Sequence, residues 1–197
     1  AISILTDNDV GLRFASRRVT VSTAGLISKI IALGQDTRVN LAVSLNASDD
    51  KTRTRLMPIN RKYPLEKLMQ ACRQYLPAPG RRITFEYILI KGINDSTEDA
   101  ERLAKLLRPI RCKVNLIPFN PHEGCDFKRP AEAVIQAFYD ILFAKNFTVI
   151  IRRSKGQDIS AACGQLRARS VGEGARQRAE GEGQRAGGRG QGASGRG

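Results

Sequence analysis

Hydrophobic and polar positions along this chain follow two periods in alternation. Four short runs are dense in aliphatic and β-branched residues: Val39 to Leu45, Arg82 to Lys91, Cys112 to Pro118 and Phe147 to Arg152. A fifth, Arg17 to Ser22, is shorter and ends in hydroxyls ahead of Gly25. Each has the length and composition of a strand, and Arg82 to Lys91 is apolar enough for a sheet covered by helices. Between these runs the apolar residues fall at helical spacing. Leu26, Ile27, Ile30, Ile31 and Leu33 form one stripe, which Gly34 is expected to stop. Leu65, Leu68, Met69, Cys72 and Leu76 form another, opened by Pro64 and ended by Pro77 and Pro79. Ser96-Thr97-Glu98-Asp99 reads as a capping box heading a helix that carries Leu103, Ala104, Leu106 and Leu107. A polar capped segment spans Ser48 to Arg55, closed by Pro58, and a last helix runs from Pro130 to about Lys145. The N-terminal residues Ala1 to Asp7 read as the end of a helix already under way.

The order is therefore β-α-β-α-β-α-β-α-β. Short connections and amphipathic helices predict right-handed crossovers and an α/β fold of about five parallel strands with outer helices. Such sheets place ligands at the C-terminal ends of their strands. Those ends carry Ser22-Thr23, Ser44-Leu45-Asn46, Lys91-Gly92-Ile93-Asn94, Asn120 and Arg152-Arg153-Ser154, all of them polar exits. Turn and capping chemistry uses the same residue types, so the pattern marks where a ligand would sit without showing that one does.

Charge narrows the class of partner. The net charge is +14, and all but six of the 33 Lys and Arg precede residue 169, so the excess belongs to the part expected to fold. A polyanion such as nucleic acid fits that imbalance, as does a basic enzyme without one. No apolar run approaches the ~20 residues needed to span a bilayer. Residues 1–168 are read as one folded unit and 169–197 as a disordered tail rich in Gly and Arg, too poor in apolar residues to offset its chain entropy. Such a tail could add RNA contacts or be an unrelated extension. The start of the chain lacks a basic leader and an initiator Met, which suggests a cytoplasmic protein met part-way along its length.

The four cysteines, Cys72, Cys112, Cys125 and Cys163, are widely spaced. They suit a reducing compartment and offer no compact set for zinc or an iron–sulfur cluster, so no metal ligand is assigned. Cys163 differs from the others in its setting, Asp158-Ile159-Ser160-Ala161-Ala162-Cys163-Gly164-Gln165-Leu166, which follows a basic run. Small neighbours leave the sulfur approachable and nearby cations favour its thiolate. A buried cysteine acting as a small hydrophobe is the competing account.

Six motifs in order carry a resemblance: Arg17 to Gly25, Val43 to Ala47, Met57 to Arg61, Phe85-Glu86-Tyr87 with Gly92 to Asp95, Asn115 to Pro121, and Asp158 to Leu166. Together they resemble the RlmN family, radical S-adenosylmethionine (SAM) enzymes that methylate C2 of an adenine in 23S ribosomal RNA and in some transfer RNAs. The resemblance runs from the first residues to about Ala168 and implies a partial (β/α) barrel of the radical SAM type. It implies that Ser22, Ser44, Leu45, Asn46 and Asn120 contact SAM. It further implies that Cys163 accepts a methyl group from one SAM, from which a radical generated on a second SAM abstracts hydrogen before addition to the adenine.

Two departures qualify this. Position 46 is Asn where family members often carry His, which keeps a donor and an acceptor but removes a protonatable group. The family's CxxxCxxC motif for a [4Fe-4S] cluster, its glycine-rich SAM segment, its acidic catalytic residue and its resolving cysteine are all expected upstream of residue 1. The chain is accordingly expected to be an inactive part of a longer protein, with an unprotected apolar edge near Val19 and Val21 prone to aggregation. Two other readings stay open. One is the related antibiotic-resistance methyltransferases that modify C8 of the same adenine. The other is a basic RNA-binding module without chemistry.

Overall fold

The computed structural model describes residues 2–6, 11–75, 82–122 and 124–152. One compact unit comprises residues 1–121 and 125–153, and the account below concerns it. Its elements in order are α1 (Ile2–Thr6), β1 (Thr20–Thr23), α2 (Ile27–Asp36), β2 (Asn40–Ser44), α3 (Asp50–Leu56), α4 (Leu65–Gln74), β3 (Ile83–Leu89), α5 (Thr97–Leu107), β4 (Cys112–Pro118), α6 (Glu132–Ala144) and β5 (Thr148–Ile151). The five strands form one parallel sheet in the order β1-β2-β3-β4-β5. Every connection steps to the next strand in the same direction, which keeps the helices on one face and gives the topology of an open (β/α) barrel.

The helical face holds the core. Leu41 and Val43 of β2, Phe85 and Tyr87 of β3, and Val114 and Leu116 of β4 are all essentially inaccessible and pack against Ile30, Leu68, Met69, Leu103 and Phe138 from the helices. The Tyr87 and Phe138 rings meet at 5.3 Å between centroids. At about 25 cal/mol per Å2 of apolar area removed from water, side chains of this size stabilise by roughly 1.5–3 kcal/mol each.

Several boundaries differ from those read along the chain. Arg17 and Arg18 belong to a 3-10 turn (Ser16–Arg18), and β1 begins only at Thr20. Gly34 does not stop α2, which runs on to Asp36. Its role is space: a Cβ there would lie 2.9 Å from the ring of Tyr75, whose hydroxyl donates to the Val39 carbonyl at 2.6 Å. The capping box at α5 forms as expected, Ser96 accepting from the Asp99 amide while the Asp99 carboxylate accepts in return. Asp99 also accepts from Ser48 at 2.8 Å, tying the β2 exit to the head of α5. The β1 edge near Val21 pairs only with β2, so among the described residues it remains a free sheet edge.

Candidate functional site

Because side chains alternate along a strand, filling one sheet face with the core sends the intervening residues to the other. The register lines these up in two rows. One runs Ser22, Ala42, Thr84, Lys113, Thr148; the next runs Ser44, Glu86, Asn115, Ile150. Glu86 lies at the centre of the second row. Its Oε2 accepts hydrogen bonds from Ser22 Oγ at 3.4 Å and from Ser44 Oγ at 3.3 Å. Two of the residues singled out in the sequence are therefore brought together on one carboxylate oxygen. Both serine protons are committed to Glu86, so each hydroxyl presents lone pairs to anything entering from the open side. Oε1 of Glu86 makes no hydrogen bond among the described residues.

Behind this face the strand exits are held by buried polar groups. Arg53 of α3 is wholly inaccessible. Its Nε donates to the Leu45 carbonyl at 3.2 Å, Nη1 to Asn60 Oδ1 at 2.8 Å and Nη2 to the Ala24 carbonyl at 2.8 Å. One guanidinium thus joins the ends of β1 and β2. Burial pushes its pKa down from the ordinary value while Asp50 opposes the shift, and an arginine stays charged throughout. Gly25, at φ +109°, is required here, since a Cβ would stand 3.1 Å from Arg53 Nη2. Asn94 does the same for β3: Nδ2 donates to the Asn46 and Ile88 carbonyls, both at 2.7 Å, and Oδ1 accepts from the Ile90 amide at 2.8 Å.

The remaining predicted contacts fare unequally. Asn46 sits at φ 60°, a left-handed conformation that Asn tolerates better than most residues. Its Oδ1 accepts from the Ile88 amide at 3.0 Å and its amide nitrogen lies 3.4 Å from Met57 Sδ, which leaves one N–H for a ligand. Leu45 has no accessible side-chain surface, its carbonyl is taken by Arg53 and its amide donates to the Glu86 carbonyl, so it faces the core and not the open face. Asn120 is half-buried, two residues past the end of β4, and makes no hydrogen bond among the described residues. It stands five residues beyond Asn115, which is level with Glu86, or ~16 Å along extended chain. No hydrogen bond joins it to Ser22, Ser44 or Glu86 among the described residues. Cys163 lies outside the described residues, as do Arg153, Ser154 and the tail 169–197.

Glu86 and Arg53 are what reading along the chain missed. Glu86 breaks an apolar strand, a signal that was present but unassigned, whereas Arg53 is spaced like any exposed helical cation. Cys72 and Cys112 are core thiols, each pushed by burial up to about 12, and so are protonated at neutral pH. Among the described residues no group of three His, Cys, Asp or Glu could hold a metal. Nor is any described helix long and apolar enough to cross a membrane.

Curated relatives match this chain along most of its length. The dual-specificity RNA methyltransferase RlmN of Desulfosudis oleivorans is 59% identical over 168 residues, covering 85% of this chain and 45% of the relative. That of Geobacter sulfurreducens is 56% identical over 170 residues, covering 86% and 47%. The chain is a homologue of the RlmN methyltransferases over about half their length. A crystal structure of a radical SAM methyltransferase from Sphaerobacter thermophilus superposes with a TM-score of 0.76 at 49% identity, covering 82% of this chain and 48% of that one. A domain of a pyruvate-formate lyase-activating enzyme from Bacteroides vulgatus shares the fold alone, with a TM-score of 0.55 at 17% identity. No family model matches.

Proposed function

We propose that this chain forms the SAM-binding and methyl-relaying part of a cytoplasmic methyltransferase that acts on C2 of adenine in 23S rRNA and in tRNA. The observation that carries the reading is the convergence of Ser22 and Ser44 on Glu86, on the open face of the sheet, in a chain 49% identical over the matched region to a radical SAM methyltransferase. The donor set suits the ligand. SAM offers hydrogen-bond donors in its ammonium and ribose hydroxyls, and the cluster offers only acceptors once its serine protons are spent on Glu86. When bound, SAM supplies an electrophilic methyl group on sulfonium. Ser22, Ser44 and Glu86 would hold it, with Asn46 contributing one N–H and Asn120 a further contact from the segment after β4.

Cys163 is assigned the nucleophile's part. As a thiolate it would accept the methyl group that SAM supplies, one S–C bond forming on cysteine as the sulfonium C–S bond breaks, and the basic run Arg152-Arg153-Ser154-Lys155 ahead of it in the sequence would favour the anion this requires. The described residues do not fit an iron–sulfur cluster, so its ligands are placed in the further length that the relatives possess.

The test joins this chain to the upstream portion of the Desulfosudis relative and supplies ribosomal RNA. Mass spectrometry should find 2-methyladenosine, and Cys163→Ala should abolish it while SAM still binds. Methylation that survives Cys163→Ala would overturn the relay, and 8-methyladenosine would overturn the C2 assignment. RNA binding without methylation in the joined protein would favour a non-catalytic module.

A further inference from the structure

At the opposite end of the sheet lies a second opening, with a volume of about 610 Å3. Its walls come from the segments that lead into the strands: Arg82 before β3, Ile110 and Arg111 before β4, and Phe147 before β5. The last turn of α5 adds Lys105 and its C-cap adds Arg108, and Lys145 caps α6. Four positions of β3, from Arg82 to Glu86, separate this opening from the Ser22–Ser44–Glu86 cluster by roughly 13 Å. The two are different sites.

Five cations line it against one carboxylate, Glu101, which is taken by Lys145 at 2.7 Å. Arg82 donates to the Thr148 hydroxyl. Lys105, Arg108 and Arg111 are exposed, and their side chains have no hydrogen-bond or ion-pair partner among the described residues. Helix C-termini attract cations, which accounts for Lys105, Arg108 and Lys145 singly. It does not account for Arg82 and Arg111, which stand on segments entering strands and face the same hollow. A merely solvated face also tends to interleave acids with bases, and here one acid stands against five bases. Ile110, Cys112 and Phe147 add apolar surface to the lining beside the cations.

We propose that this cleft binds phosphate groups of RNA, gripping the nucleic acid at the end of the sheet opposite the Ser22–Ser44–Glu86 exits. The choice of RNA as the polyanion rests on the proposed methyltransferase function; the site itself rests on the cleft. Lys105, Arg108 and Arg111 are the free cations that would meet the backbone, each displacing condensed counterions.

The experiment compares the 197-residue chain with the triple variant Lys105→Gln/Arg108→Gln/Arg111→Gln, using a short hairpin RNA and filter binding across a salt series. The expected result is at least tenfold weaker binding near 0.1 M salt and a shallower dependence of log K on log salt, by about 0.7–0.9 for each phosphate no longer neutralised. A charge-matched control, Lys51→Gln/Lys67→Gln/Arg73→Gln, removes three exposed cations elsewhere and should change both quantities much less. Equal losses in the two triples, or no change in the first, would overturn the cleft. Loss of binding to phosphatidylglycerol vesicles with RNA binding intact would overturn it too. Should the wild-type chain fail to bind RNA at all, the RNA-directed function falls along with the cleft. Should the triple variant not fold, the wild type decides: RNA must shield Lys105 from acetylation more than Lys67, and equal labelling refutes the site.

Discussion

The two ends of the sheet treat charge in opposite ways. At the C-terminal ends, Arg53, Asn60, Asn94 and Asp99 are buried, and no buried side-chain nitrogen or oxygen among the described residues lacks a hydrogen-bond partner. At the N-terminal ends, Lys105, Arg108 and Arg111 are exposed, and their side chains make no hydrogen bond or ion pair among the described residues. Buried and satisfied polar groups fix geometry, because each lost bond strands its partner in a medium without water. Exposed cations fix none, and keep their side-chain freedom for a partner that arrives in many conformations. The contrast teaches that one end is organised before any ligand comes, whereas the other is organised by what it binds.

That contrast can be broken most forcefully at Arg53. Arg53→Ala removes three hydrogen bonds from a charged donor and opens a cavity between α3 and two strand ends, so a loss of about 3–5 kcal/mol is expected in urea unfolding. A loss under 1 kcal/mol would show that the exits are not held as described. Asn94→Ala should follow at ~2–3 kcal/mol, since it leaves the Ile90 amide and two carbonyls unpartnered. Glu86→Gln sharpens the comparison differently. It should leave unfolding within about 0.5 kcal/mol of wild type, because Glu86 is only half-buried, yet weaken SAM binding about tenfold by giving the serines an N–H donor to share. Unchanged SAM affinity by calorimetry would remove Glu86 from the site.

A pH effect comes next in size. The Cys72 and Cys112 thiols ordinarily titrate near 9.0 and are pushed by burial up to about 12 in the fold. The unfolded chain therefore ionises first, so their contribution is complete below pH 9 and is lost as pH rises from 9 towards 12. Urea midpoints should fall across that window, and less steeply in Cys112→Val. A slope equal to wild type would mean the thiol is not protected. The smallest effect belongs to the cleft. Its triple glutamine variant should unfold within about 0.5 kcal/mol of wild type, since its cations hold nothing together.

Much of this was legible along the chain for a local reason. Strand and helix periods, the Ser96–Asp99 capping box and Pro64 ahead of α4 depend on neighbours a few residues away, and all recur in the structure. The site was legible in part. Ser22 and Ser44 stood out as strand exits, but nothing local said that they share Glu86, 64 and 42 residues distant. Leu45, read as lining the pocket between Ser44 and Asn46, has its side chain in the core with Val43, a placement that alternation along the strand decides. The polar exit at Asn94 is an internal brace, since a turn residue and a buried hub look alike until the neighbouring strand is in place.

What the sequence determined unaided is the alternation of strand and helix, the parallel sheet and the basic balance, because periodicity, capping and net charge are properties of short stretches or of simple sums. What only the tertiary structure decided is which polar residues meet. The register between strands aligned Ser44 with Glu86, placed Arg53 between two strand exits and gathered five cations around one hollow. These are encounters between residues tens of positions apart, and they exist only once the packed core has fixed where each strand lies.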